Sequence, residues 1–127
     1  MLSNRMADKI IDQGHVGTRI AWVRISGPVS NMFFIVVYVP HRGRTCAPYA
    51  QDTLRQLKKL LQTVRKSDCI LLVGYFNCEL QRNVQGCTGK WSMTERADGG
   101  HGNEVMNLLR EFDLFAVDTL FKPKKKT

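Results

Sequence analysis

Two apolar runs separated by one amphipathic segment constrain this chain more than any other feature. The first, Met32-Phe33-Phe34-Ile35-Val36-Val37-Tyr38-Val39, is β-branched or aromatic at every position after its first. Both alternating faces are apolar, so a strand of this composition needs cover on both sides and belongs inside a layered structure. Pro40 stops it. From Pro48 to about Arg65 the period lengthens: Tyr49, Leu54, Leu57, Leu60, Leu61 and Val64 recur at helical spacing, with Arg55, Lys58, Lys59 and Gln62 on the outer face. Pro48 suits a first helical turn, while Asp52 near the start and Arg65-Lys66 near the end follow the helix dipole. The second run, Cys69-Ile70-Leu71-Leu72-Val73, is again strand-like. Strand, helix, strand predicts an α/β layer arrangement.

The flanks add to this. Arg19 to Ile25 reads as a strand, with Ala21, Val23 and Ile25 on one face and Ile20 and Trp22 on the other. Gly27-Pro28-Val29-Ser30-Asn31 is a turn by composition, which predicts an antiparallel hairpin with the first apolar run. Residues 75–102 form a long irregular stretch containing Gly86, Gly89, Gly99, Gly100 and Gly102, and such loops are usually functional or mobile. Asn103 is placed to cap a short helix in which Val105, Leu108, Leu109 and Phe112 share a face. Leu114-Phe115-Ala116-Val117 reads as a final strand. No repeat and no linker divides the chain, and 127 residues suit one domain with a real core.

A formal net charge of +8 favours a polyanionic partner, of which nucleic acid is the commonest. Half of that surplus sits on Lys122, Lys124, Lys125 and Lys126, so residues 1–121 carry the fold and 122–127 form a basic tail. A terminal Lys cluster reads first as a solvated tail, with a nuclear-localisation reading open beside it. No apolar stretch reaches the length of a membrane span, and the first nine residues lack a signal-peptide layout. The expectation is an intracellular protein with no membrane partner. Cys46, Cys69, Cys78 and Cys87 form no C-x-x-C pair, and His15, His41 and His101 stand far apart, so no zinc spacing is present. Cys69, inside an apolar run, reads as a small buried residue.

The second apolar run leads directly into Gly74-Tyr75-Phe76-Asn77. Tyr38-Val39-Pro40 precedes it, and Asn103-Glu104-Val105 and Asp118-Thr119-Leu120-Phe121 follow it. This ordered set resembles the endonuclease/exonuclease/phosphatase superfamily, in which a buried strand ends in Gly-Asp-Phe-Asn. At finer grain, Val37-Tyr38-Val39-Pro40-His41-Arg42-Gly43, Asn77-Cys78-Glu79-Leu80-Gln81-Arg82-Asn83 and Phe112 to Thr119 are similar to the endonuclease domain of RTE-type non-LTR retrotransposons. Craniofacial development protein 2-like proteins share that character. The resemblance covers nearly the whole chain. It implies the central part of a four-layer α/β sandwich and hydrolysis of a phosphodiester by a water activated with the help of Mg²⁺. It also implies phosphate-positioning roles for Tyr38 and Asn77.

The sequence departs from the family pattern at the chemistry. Tyr75 stands in the Asp position, exchanging a carboxylate of pKa about 3.9 for a phenol near 10. The family's metal-binding Glu is expected before Met1 and its Ser-Asp-His step after Thr127. Loss of a general base alone costs about 10²–10⁴-fold, so the expectation is a retrotransposon-derived endonuclease-like segment that binds no Mg²⁺ and does not hydrolyse DNA. A non-catalytic nucleic-acid-binding module is the alternative, as is an active endonuclease if flanking sequence supplies the absent groups. For DNA contact the candidates are His41, Arg42 and Arg44, which also read as a solvated basic loop, and Lys90-Trp91, which also reads as a loop anchor. Absent partner strands would leave sheet edges unpaired and core faces open, predicting self-association.

Overall fold

The hairpin expected between the two N-terminal apolar segments is the centre of a four-stranded mixed sheet in an α/β fold. The computed structural model describes residues 1–41, 43, 46–92 and 101–124. They fall into two compact units, Met1–Pro40 with Pro48–Phe76 and His41–Ala47 with Asn77–Thr127. In chain order the elements are α1 (Asn4–Ala7), β1 (Ile10–Val16), β2 (Ile20–Ile25), β3 (Met32–Tyr38), α2 (Ala47–Thr63), β4 (Cys69–Tyr75), α3 (His101–Glu111) and a 3₁₀ turn, Val117–Leu120.

In the first unit, β2 and β3 pair antiparallel from Ile20↔Val37 to Ile25↔Met32, and β4 runs parallel to β3 from Met32↔Cys69 to Tyr38↔Tyr75. β4 outlasts the expected Val73 because the ladder with β3 continues, the Val39 N–H donating to the Tyr75 carbonyl at 2.7 Å. The strand order β1-β2-β3-β4 leaves β1 and β4 as edges. β1 is not evident in the sequence: Ile10 to Val16 carries Asp12, Gln13 and Gly14, and its pairing slips between Ile10 and Asp12. It forms because the edge of β2 offers backbone donors and acceptors that need partners. The Ser3 side chain caps α1, accepting from the Met6 N–H.

The two faces of β3 differ. Phe33, Ile35 and Val37 are buried, whereas Phe34 is half-buried and Val36 and Tyr38 are 45% and 49% exposed. The β3–α2–β4 crossover accounts for the difference, since one helix layer covers one face of a sheet. α2 buries Ala50, Leu54, Leu57, Leu60 and Leu61, and the hydroxyl of buried Thr53 donates to the Tyr49 carbonyl at 2.7 Å. Trp22 stacks on Phe33 at 5.0 Å between centroids. The expected cover on both sides of Met32–Val39 is therefore met on one side only. Cys69 also departs from expectation: its thiol is exposed, 3.2 Å from the Ser30 hydroxyl, because its position in the parallel register puts it on the uncovered face. Cys87 is the buried cysteine.

On the covered face, Arg24 Nε and Nη2 donate to Asp68 at 2.7 and 3.1 Å, with the Asp68 side chain 1% exposed. These hydrogen bonds, reinforced by the Arg24 and Arg65 charges, hold the Asp68 carboxyl below its ordinary value of 3.8 against the opposing effect of burial. A depressed carboxyl stabilises the fold fully above its unfolded-state pKa, and that stability is lost as pH falls through the folded value. Asp68→Asn is thus expected to flatten the acid limb of stability below about pH 4. Urea midpoints at neutral and acid pH read this directly, and an unchanged acid slope counts against it.

In the second unit, Cys87, Met106 and Leu109 form a buried cluster, with Leu80, Val84, Leu114 and Ala116 packed around it. α3 begins at His101, so Asn103 lies within the helix and does not cap it. Val105, Leu108 and Leu109 are buried as expected, with Met106 beside them. Leu114–Val117 is not a strand. Asp113 adopts φ 53°, the Leu114 N–H bonds back to the Leu109 carbonyl, and Ala116 makes one parallel bridge to Thr88 before the 3₁₀ turn. A run this short, tied to the preceding helix, has no room for a ladder.

Candidate functional site

The Gly74-Tyr75-Phe76-Asn77 step straddles the division between the units, with Tyr75 in the first and Asn77 in the second. Gly74 is required where it stands: φ is +146°, and a Cβ there would lie 1.8 Å from the Val37 carbonyl oxygen. That close approach lets β4 carry Tyr75 directly beside Tyr38 in the parallel register. Both phenols are exposed, Tyr75 by 74%, at the carboxyl ends of parallel strands where open α/β sheets place their ligand sites.

Asn77 takes a left-handed conformation, φ 48°, and its carbonyl lies 2.7 Å from Nε2 of His101. A carbonyl can only accept, so Nε2 carries the proton. His101 is 4% exposed and opens α3, which anchors the start of the second unit's loop to its helix. His41, also in the second unit, is exposed, and Arg42 and Arg44 lie outside the described residues. In the first unit the step presents two phenols, Tyr38 and Tyr75. Mg²⁺ takes carboxylate and water oxygens, and among the described residues no three His, Cys, Asp or Glu side chains gather. Phenols are poor ligands for the ion that the family resemblance implies.

A second cluster is better built. The ammonium groups of Lys90 and Lys122 lie 5.2 and 5.5 Å from the centroid of the Trp91 ring, each within cation–π range. The cause is local pairing between two distant segments. The Gly89 N–H donates to the Thr119 hydroxyl at 2.7 Å, and the Trp91 N–H donates to the Thr119 carbonyl at 3.0 Å. Thr119 is 5% exposed, so this clasp is sheltered from competing water. Lys122 follows Thr119 by three residues and is delivered onto the indole. Lys90 and Lys122 are exposed and Trp91 is half-buried, which presents two like charges and an aromatic surface together at the protein boundary. Both cations raise the local potential toward an anion, and the ring offers a stacking partner that tolerates any base.

Of the residues expected at a site, the structure brings together Tyr38 with Tyr75 and Lys90 with Trp91. Lys122 is the member that sequence reading assigned to a solvated tail. No feature of residues 122–127 signals its contact, because the clasp at Thr119 depends on tertiary pairing. Asp113 and Asp118 are exposed. No family model, no curated protein and no solved structure matches this chain. No helix of the described residues is long and apolar enough to cross a membrane.

Proposed function

We propose that this chain is a non-hydrolysing nucleic-acid-contact module descended from the Mg²⁺-dependent endonucleases of non-LTR retrotransposons, on part of their four-layer α/β sandwich. The observation that carries the contact is the Lys90–Trp91–Lys122 cluster. Lysine stems are flexible, so either ammonium can leave the ring for a phosphate while a base stacks on the indole. This chemistry suits single strands, whose bases are free to unstack, better than a closed duplex. Tyr75 in the Asp position supports the loss of hydrolysis, since a neutral phenol neither orients a water as base nor draws a cation.

Fluorescence anisotropy with a labelled oligo-dT tests the contact, and a supercoiled plasmid with Mg²⁺ tests hydrolysis. Trp91→Ala is expected to weaken oligo-dT binding by about 1–3 kcal/mol, roughly 5- to 150-fold. Lys122→Ala is expected to reduce the slope of log affinity against log salt by about 0.7. No measurable binding by the parent chain at low ionic strength would sink the contact. Nicking above background would sink the claim that hydrolysis is lost.

A further inference from the structure

α2 turns one face to the sheet and the other to solvent, and the outer face carries charge of almost one sign. Gln51, Arg55, Lys58, Lys59 and Gln62 recur three and four residues apart and are all exposed, as is Lys66, three residues past the end of the helix. Asp52 is the one acidic residue of α2. It lies 3.8 Å from Arg55, with both side chains more than half exposed, a loose contact in water. Arg65, whose charge acts on the buried carboxylate of Asp68, is not counted in the row. We infer that this outer face of α2 is a contact surface for the phosphates of a double-stranded nucleic acid.

Three observations point to that partner. The row repels itself: Arg55 and Lys59 stand four apart, where like charges weaken a helix, and Lys58 crowds the same turn. Gln51 and Gln62 hold the positions four before Arg55 and four after Lys58, where a carboxylate would relieve the repulsion. An amide relieves nothing, but it adds a donor for a phosphate oxygen. The row is also straight and rigid. At about 1.5 Å per residue, Gln51 to Gln62 spans roughly 16 Å, against phosphates about 3.4 Å apart along each strand of a duplex. Its chemistry argues against other polyanions. Tyr49, the exposed aromatic of α2, lies about 120° round the axis from Arg55 and carries the Arg19 guanidinium at 5.2 Å. The row thus offers no ring to an unstacked base and no apolar side chain to a lipid surface.

This face is turned away from the sheet, so its exposure does not depend on what covers the strands. It is also independent of the contact proposed at Trp91, because every residue in it belongs to the first unit. Phosphate contacts position a duplex without reading its sequence, so binding is indifferent to base composition. Its strength falls in the non-specific range, a dissociation constant of about 1–100 µM at physiological salt.

Fluorescence anisotropy of the full chain with a labelled blunt-ended DNA duplex is the test. The expected result is saturable binding at about 0.1 M salt, with a slope of log affinity against log salt of about −3. Gln51→Glu combined with Gln62→Glu sets carboxylates beside Arg55, Lys58 and Lys59. Binding should weaken at least about 10-fold and the slope flatten by about 1–2, while the melting temperature holds because both new charges form i,i+4 pairs. Asn4→Asp with Gln85→Glu makes the same change of net charge at exposed positions outside α2 and should leave binding within about threefold. Trp91→Ala should leave duplex binding within about twofold, so failure of the single-strand contact and failure of this one are read separately. Amine acetylation of the parent chain needs no variant: the duplex should protect Lys58, Lys59 and Lys66 and leave exposed Lys9 open. No duplex binding at about 0.05 M salt overturns the inference. So does binding that is unaffected by the α2 pair, equally weakened by the control pair, or lost with Trp91→Ala. Absence of protection at the α2 lysines, or tighter binding to phosphatidylserine vesicles than to the duplex, overturns it as well.

Discussion

Gly74→Ala is expected to destabilise the first unit by at least about 3 kcal/mol, a large part of the roughly 5–15 kcal/mol that holds a domain folded. The added methyl carbon would sit 1.8 Å from the Val37 carbonyl oxygen and 2.8 Å from its carbonyl carbon. Those are backbone atoms of the neighbouring strand, fixed by the β3–β4 ladder, and no rotamer change relieves the overlap. The strand end would have to peel away, taking Tyr75 from its place beside Tyr38. Gly86→Ala separates the steric effect from the backbone effect, because Gly86 also has positive φ, +75°, but has open space where its Cβ would be. It should cost only about 1 kcal/mol. Urea unfolding followed by far-UV circular dichroism compares the two, and equal losses would remove the close approach at Gly74 as the cause.

Ile35→Ala should be the largest single loss among ordinary core truncations, about 2–5 kcal/mol. Ile35 is wholly buried, lies between Trp22 and Leu72 across the sheet, and faces the layer that α2 covers. Removing three carbons there leaves a void that the flanking ladders prevent from collapsing. One residue along, Val36→Ala should change monomer stability by no more than about 0.5 kcal/mol, because Val36 is on the uncovered face. Urea unfolding of the two variants tests the two-faced reading of β3. Comparable losses would mean that both faces are packed.

The contrast between Ile35 and Val36 also marks how far the sequence could be read. β2, β3, α2 and β4 were legible because the strands are short runs rich in apolar, mostly β-branched or aromatic residues, because α2 has a strong 3.6 period, and because Pro40 and Pro48 punctuate them. The adjacency of Tyr38 and Tyr75 follows from a parallel crossover once those elements are in place. An open core face was expected from the family resemblance, but which one was not legible: Phe34, Val36, Leu71 and Val73 look like core residues whether or not anything covers them. β1 was missed because an edge strand is recruited by its neighbour more than by its own composition, and Leu114–Val117 was misread because four apolar residues do not distinguish a strand from a tethered turn. Arg24 and Asp68 gave no sign of pairing, since they are distant in sequence and ordinary in type. The same is true of Lys122, whose place on Trp91 is set by hydrogen bonds to Thr119.

The division of β3 into a covered and an uncovered row gives its residues separate fates under mutation. Drift at Phe33, Ile35 or Val37 is registered as unfolding and is purged at any protein concentration. Drift at Val36 falls on an exposed side chain and leaves most of the fold's stability in place. Positions under strong and weak constraint thus alternate one residue apart along a single strand.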